Sequence, residues 1–192
     1  MRALVFGGSF NPVHIGHLLM AEEVREEFGF DMVLFVPAAR SPFKDAADDP
    51  GQDHRLAMLS LACASNSRFS IDARELGRGG TSFTIDTIRS LVSEGSIEGR
   101  PGLLIGDDLV SGLPQWREFE ALLTETRIIV GRREAAKPAV SRLDGLVQAS
   151  NRIIPLSSSE IRAFVARGRS IRYLVSDSVR NYIYEMGLYG SR

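Results

Sequence analysis

Gly7-Gly8-Ser9-Phe10-Asn11-Pro12-Val13-His14-Ile15-Gly16-His17 follows directly on the apolar run Ala3–Phe6. An apolar run closed by two glycines and then a helical pattern reads as strand, turn and helix start, the opening unit of an α/β fold. Glycines let backbone N–H groups approach a ligand with no side chain in the way. A helix beginning near Val13–Gly16 adds free N–H donors and a positive dipole end, so the stretch reads as a phosphate cradle. It is neither a P-loop nor the Gly-x-Gly-x-x-Gly dinucleotide fingerprint. His14 and His17 fall on one face of that helix start. Two imidazoles there can donate to phosphate oxygens where negative charge grows during transfer. Two blander readings stand beside this one. One is a zinc pair, for which His54 and Cys63 are the only other imidazole and the only thiol in the chain. The other is that one of the two is a core histidine.

Outward from this loop, short apolar runs alternate with amphipathic stretches. A helix over Ile15–Phe28 ends at Gly29, and strands are expected at Met32–Val36, Phe69–Ile71, Leu103–Ile105, Ile128–Val130 and within Leu146–Ile154. Helices are expected over His54–Ala64, Thr84–Glu94, Trp116–Leu123, Ser158–Arg167 and Ser178–Met186. Such alternation predicts one Rossmann-like α/β domain over residues 1–192, a three-layer fold with a parallel sheet and helices on both faces. Ligands of such sheets bind beyond the carboxyl ends of the strands, which directs attention to Gly7–His17, Pro37–Asp53, Gly106–Trp116 and Gly131–Lys137. The connection Pro37–Asp53 is long and carries Arg40 and Lys44. It reads either as a surface loop or as a flap that brings positive charge to a phosphate.

Composition narrows the partners. Hydrophobic residues make up 44% of the 192 and charged residues 24%, with 23 basic and 24 acidic side chains giving a net charge of −1. That balance supplies no strong field for long nucleic acid, though local arginines and lysines can still serve a small anion. No apolar stretch approaches the roughly 20 residues that span a bilayer, and residues 1–6 read as a strand, so the cytoplasm is the expected setting and no membrane partner is expected. One cysteine excludes an internal disulfide, and the apolar neighbours of Cys63 place it in the core. Composition leaves a monomer and a homo-oligomer both open.

A second anion site is expected at Leu156-Ser157-Ser158-Ser159-Glu160-Ile161-Arg162. Ser157 with Glu160 forms a capping box, which by itself needs no function. The serine hydroxyls, the free N–H groups and Arg162, which shares a face with Ser158, could also converge on one anion.

The first loop resembles the Gly-Gly-(Thr/Ser)-Phe-(Asp/Asn)-Pro-x-His-x-Gly-His signature of the nucleotidyltransferase superfamily. The second resembles that superfamily's Ile-Ser-Ser-(Thr/Ser)-x-Ile-Arg motif, with Leu156 in place of Ile. The resemblance implies ATP binding by Gly7, Gly8, Ser9, Phe10, His14, His17, Gly106, Asp107, Ser157, Ser158, Ser159 and Arg162. It also implies a catalytic set of His14, His17, Lys44 and Arg162, and magnesium carried in with ATP. His17 would be the more critical of the two histidines.

Further segments resemble the nicotinate-nucleotide adenylyltransferase family. Val36-Pro37 with Ser41-Pro42-Phe43-Lys44 is similar to its Val-Pro…Pro-Pro-His-Lys loop, with Phe43 for His. Ser82-Phe83-Thr84-Ile85-Asp86-Thr87 is similar to Ser-Tyr-Thr-x-Asp-Thr, and Thr84 also reads as a helix N-cap. Gly106-Asp107-Asp108 with Leu113 and Trp116 is similar to Gly-x-Asp…Leu…Trp, and Arg133 to the arginine of an Arg-Pro-Gly segment in which Glu134 replaces Pro. The resemblance implies nicotinate mononucleotide as acceptor, bound by Lys44, Thr84, Trp116, Arg117 and Arg133. Asp107 is open to a turn role, to orienting adenosine or to helping place magnesium. Two other readings remain at this stage: a pantetheine-phosphate adenylyltransferase, and a nucleotide-binding sensor without turnover.

Overall fold

A computed structural model describes residues 1–39, 49–78, 80–133 and 144–190. Six strands form one parallel sheet: β1 (Ala3–Gly8), β2 (Met32–Pro37), β3 (Phe69–Ile71), β4 (Gly102–Gly106), β5 (Arg127–Gly131) and β6 (Leu146–Gln148). Their order is β3-β2-β1-β4-β5-β6, so the sheet reverses direction of growth between β1 and β4. The register is fixed by pairs such as Phe6↔Phe35 and Phe6↔Leu104. The expected Rossmann-like fold is therefore observed.

Side chains alternate across the sheet, and both faces are covered. Leu4 and Phe6 join a core with Met20, Val24, Met58, Ile161, Val165 and Ile183. That core packs beneath α1 (Ile15–Phe28), α2 (Gln52–Cys63), α6 (Ser158–Ala166) and α7 (Asp177–Glu185). Ala3 and Val5 face the opposite way, into a core with Ile85, Ile88, Leu91, Leu113 and Leu122. That second core lies under α4 (Thr84–Ser93) and α5 (Phe119–Glu125). Each large apolar side chain so buried contributes about 1.5–3 kcal/mol, and burial on both faces is why these strands read as continuous apolar runs. Cys63 lies in the first core, where burial pushes its thiol pKa up to about 12.

α1 ends where glycine permits the left-handed turn, at Gly29 with φ of 68°. Two elements differ from expectation. A five-residue helix, α3 (Arg74–Arg78), precedes α4, and a 3-10 helix runs over Asp107–Gln115. The expected helix over Trp116–Leu123 is replaced by that 3-10 segment and by α5. Pro114 lies inside the 3-10 helix, Trp116 is extended, and α5 starts after Glu118, whose φ is 52°. Proline lacks the donor that a continuous α-helix would need there. Among the described residues no helix is long and apolar enough to cross a membrane.

Candidate active site

The loops after β1 and β4 flank the point where strand order reverses, the position at which open α/β sheets bind ligands. Gly7 is exposed at the end of β1, and a Cβ there would meet only the Val36 carbonyl, at 4.0 Å. Its missing side chain is thus not demanded by packing and leaves the backbone open to a ligand. Gly8 differs, since a Cβ would stand 3.0 Å from the Phe10 ring. Phe10 has a φ of 45° and is 1% exposed, edge-on to Phe6 and Phe35. Its ring belongs to the core, so any ligand contact at Phe10 falls to its backbone.

His14 is the N-cap of α1, and His17 lies in the first turn. The two rings stack with centroids 3.7 Å apart, and Nδ1 of His17 accepts the backbone N–H of His14 at 3.3 Å. Gly16 makes this arrangement possible, because a Cβ there would come within 3.1 Å of the His14 ring. His14 is buried, and Nε2 has no hydrogen-bond partner among the described residues. Burial, with the nearby charge of Arg133, lowers its pKa to about 3. His14 is therefore neutral at physiological pH.

The second motif is folded onto the first. Ser157 caps α6 and accepts the Glu160 N–H. Ser158 is buried and its hydroxyl donates to the Pro12 carbonyl at 2.9 Å. This corrects the expectation of a hydroxyl turned to an anion: helical spacing does place Ser158 beside Arg162, but their shared face meets the first loop. Arg162 donates to the Asn11 carbonyl at 2.9 Å and to the Ser159 hydroxyl at 3.3 Å. Ser159 is exposed. The α6 N-terminus and the histidine pair are thereby joined around one loop.

Gly106 ends β4 and Asp107 opens the 3-10 helix. Asp107 accepts the Arg133 N–H at 3.1 Å, and the Arg133 guanidinium pairs with Asp108 at 2.8 Å. A Cβ at Gly106 would displace the Asp108 carboxylate and the Arg133 side chain, so glycine leaves room for this pair. Arg133, expected at the acceptor, thus lies beside Asp107 and Asp108 at the end of β4.

Elsewhere, Arg117 meets the start of α4 around Thr84, and Trp116 precedes it in the chain. Phe83 and not Thr84 is the N-cap, so Thr84 is the first helical residue and presents its N–H rather than a capping oxygen. Arg117 lies 4.7 Å over the Phe83 ring and pairs with Asp86 at 3.4 Å. Trp116 is half-buried against the second core. Behind α4, the buried Thr87 donates to Glu75 at 2.8 Å and accepts from Arg78 at 3.3 Å. Burial raises the Glu75 pKa. Lys44 lies outside the described residues, as do Phe43 and Glu134.

Three residues of the arrangement have no mark in the sequence motifs. Arg55 binds the Ser9 carbonyl at 3.0 Å, Tyr189 donates to the Asn11 side chain at 2.6 Å, and Asn151 brackets Arg132 by accepting its N–H and donating to its carbonyl.

Among the described residues no group of three or more His, Cys, Asp or Glu side chains could cage a metal ion. The donors around the loop are imidazole, guanidinium and backbone N–H, which suits phosphates that arrive with their own cation.

A loop of this build, at the reversal point of a parallel sheet and clasped by a second helix N-terminus, defines a nucleotidyltransferase. The cytidylyltransferase-like family model matches residues 5–164. More narrowly, the chain belongs to the nicotinate-nucleotide adenylyltransferase family. It is 39% identical over 193 residues to a "Probable nicotinate-nucleotide adenylyltransferase" of Roseiflexus sp. (strain RS-1), covering 96% of each chain. It is 37% identical over 204 residues to one of Treponema pallidum (strain Nichols), covering 100% of each. In fold it is similar to Plasmodium falciparum nicotinic acid mononucleotide adenylyltransferase complexed with NaAD, with TM-score 0.81, 20% identity and coverage of 100% of this chain and 98% of that one.

Proposed function

We propose that this chain transfers the adenylyl group of ATP to nicotinate mononucleotide, giving nicotinate adenine dinucleotide and pyrophosphate in NAD synthesis, with the cytoplasm as its setting. The carrying observation is the stacked His14–His17 pair at the α1 N-terminus, with the α6 N-terminus bound to the same loop through Ser158 and Arg162. Two helix N-termini and a guanidinium around one glycine-rich loop suit a triphosphate. The names of the relatives support the acceptor.

An acceptor phosphate oxygen attacks the α-phosphorus of ATP, the bond to the β-phosphate bridge breaks, and pyrophosphate leaves with the electron pair. The acceptor phosphate is already anionic, so no general base is needed and catalysis comes from alignment and charge stabilisation. His17 donates to the developing charge, and Arg162, with the N–H groups at Ser158 and Ser159, holds the leaving phosphates. Lys44 adds a cation. Magnesium bound to the triphosphate would offset its charge. On the acceptor side, the N–H groups at Thr84 and Arg117 take the nicotinate carboxylate and Trp116 stacks on the pyridine ring. Arg133, assigned to the acceptor phosphate by the family resemblance, is held beside Asp107 and Asp108.

Pyrophosphate release from ATP, measured with nicotinate mononucleotide, nicotinamide mononucleotide or phosphopantetheine, tests the reading. Nicotinate mononucleotide should be the preferred acceptor. Preference for phosphopantetheine, or release with none of the three, would overturn it.

A further inference from the structure

Arg55 is a fully buried arginine, 2% exposed, in the first turns of α2. Its Nη1 donates to the carbonyls of Ser9 at 3.0 Å and Ala38 at 2.7 Å, its Nη2 to that of Ala39 at 3.0 Å, and its Nε to Asp49 at 3.2 Å. Four of the five guanidinium N–H groups are therefore used. The three carbonyls lie on two different loops, one after β1 and one after β2. Asp49 also accepts the Gly51 N–H at 3.0 Å, which ties the clamp to the start of α2.

Burying a guanidinium is a costly way to join two loops, and apolar packing would do so more cheaply. What the guanidinium adds is direction. Asn11–Pro12 is the cis peptide of this loop, and the Ser9–Phe10 unit is trans. In a planar trans peptide the carbonyl and the following N–H point opposite ways, so holding the Ser9 oxygen aims the Phe10 N–H away from α2. Two residues on, Arg162 grips the Asn11 carbonyl from α6. The turn of the phosphate loop is thus held at two carbonyls by two arginines from separate helices.

We propose that Arg55 is a positioning residue for adenylyl transfer, fixing the backbone of the Gly7–His17 loop against the chain that leaves β2 so that its N–H groups meet the ATP phosphates in line. The inference rests on the adenylyl-transfer reading above. Lysine cannot replace Arg55, having a single nitrogen where three carbonyls and a carboxylate converge from different directions.

The test uses the full chain, with folding followed by circular dichroism and Tm. Arg55→Ala and Arg55→Lys should remain folded while kcat falls about tenfold or more and the ATP KM rises. Guanidinium chloride at sub-denaturing concentration should restore part of the kcat of Arg55→Ala, where sodium chloride of equal ionic strength does not. A purely structural role would lower Tm without that rescue. Wild-type kcat and KM in a folded Arg55→Ala, or a loss that guanidinium leaves untouched, overturns the proposal. If Arg55→Ala does not fold, Asp49→Asn decides: a drop in kcat of roughly two- to fivefold at unchanged Tm supports the clamp, and wild-type kinetics overturns it. A wild-type enzyme silent with every acceptor would instead sink the adenylyl-transfer reading. ATP calorimetry on wild type and Arg55→Ala would then still report on the clamp, with equal affinities refuting it.

Discussion

His14 and His17 stack at 3.7 Å between ring centroids, and Nδ1 of His17 accepts the backbone N–H of His14. An imidazole nitrogen that accepts carries no proton, so the His17 proton available for donation is the one on Nε2. The two histidines therefore differ: His14 is a buried ring that shapes the helix start, and His17 is the one proposed above to donate to phosphate.

Replacing His17 by alanine should accordingly lower kcat by about 10²–10³, the usual loss when a donor to developing transition-state charge is removed. The ATP KM should change far less, because the interaction strengthens only in the transition state. Steady-state pyrophosphate release measures both, and a variant with near wild-type kcat would remove His17 from the mechanism.

His14 gives the protein an acid-side stability slope. Its folded pKa is about 3, below the ordinary 6.5, so between those values the unfolded chain binds the extra proton. The contribution of the buried neutral ring is fully present above pH 6.5 and is lost as pH falls toward 3. Within that window one such group can change stability by up to about 1.4 kcal/mol per pH unit. Urea unfolding at several pH values should show a shallower acid-side slope for His14→Asn than for wild type, and identical slopes would contradict the burial argument.

The gross fold and the local geometry of both motifs are legible because they rest on local chemistry. α1 is bounded by the residues its pattern implied, Ile15 and Phe28, since Gly29 alone tolerates the left-handed exit. Ser157 caps α6 through the Glu160 N–H, as its spacing implied. What escaped was tertiary. Ser158 and Ser159 look equivalent in sequence, yet one is buried on Pro12 and the other exposed. Arg55 follows His54 in an amphipathic helix, where an arginine ordinarily reads as solvated, and only the fold brings three carbonyls to it. Thr84 resembles a cap, but the cap falls one residue earlier, at Phe83.

Trp116 and Arg117 make a separable prediction. Arg117 is held against Phe83 and Asp86 at the α4 N-terminus, whereas Arg133 is held against Asp107 and Asp108. Trp116→Ala should raise the acceptor KM by about tenfold, the scale of one lost aromatic stack. The ATP KM should stay within about twofold, because the site contacts are distinct. Equal changes in both would mean that the tryptophan supports the whole cleft and not the acceptor alone.

The closing segment is tied to the loop after β1 through Tyr189 and Asn11. Tyr189 has a φ of 57° within the 3-10 turn Leu188–Gly190, and its hydroxyl donates to Asn11 at 2.6 Å. Burial pushes its phenol pKa well up, so it keeps its proton and remains a donor throughout the working pH range. Asn11 is itself buried, and its carbonyl is the one Arg162 holds. Tyr189→Phe keeps the ring packing and removes only the donor. The expected cost is about 1–2 kcal/mol, typical of a buried hydrogen bond broken from one side. It should appear as a lower urea midpoint with an unchanged m-value. Because the same asparagine is gripped by Arg162, kcat should fall as well. Loss of stability with wild-type kcat would mean that Arg162 and Ser158 alone suffice to hold the loop, and unchanged stability would mean that water replaces the phenol without cost.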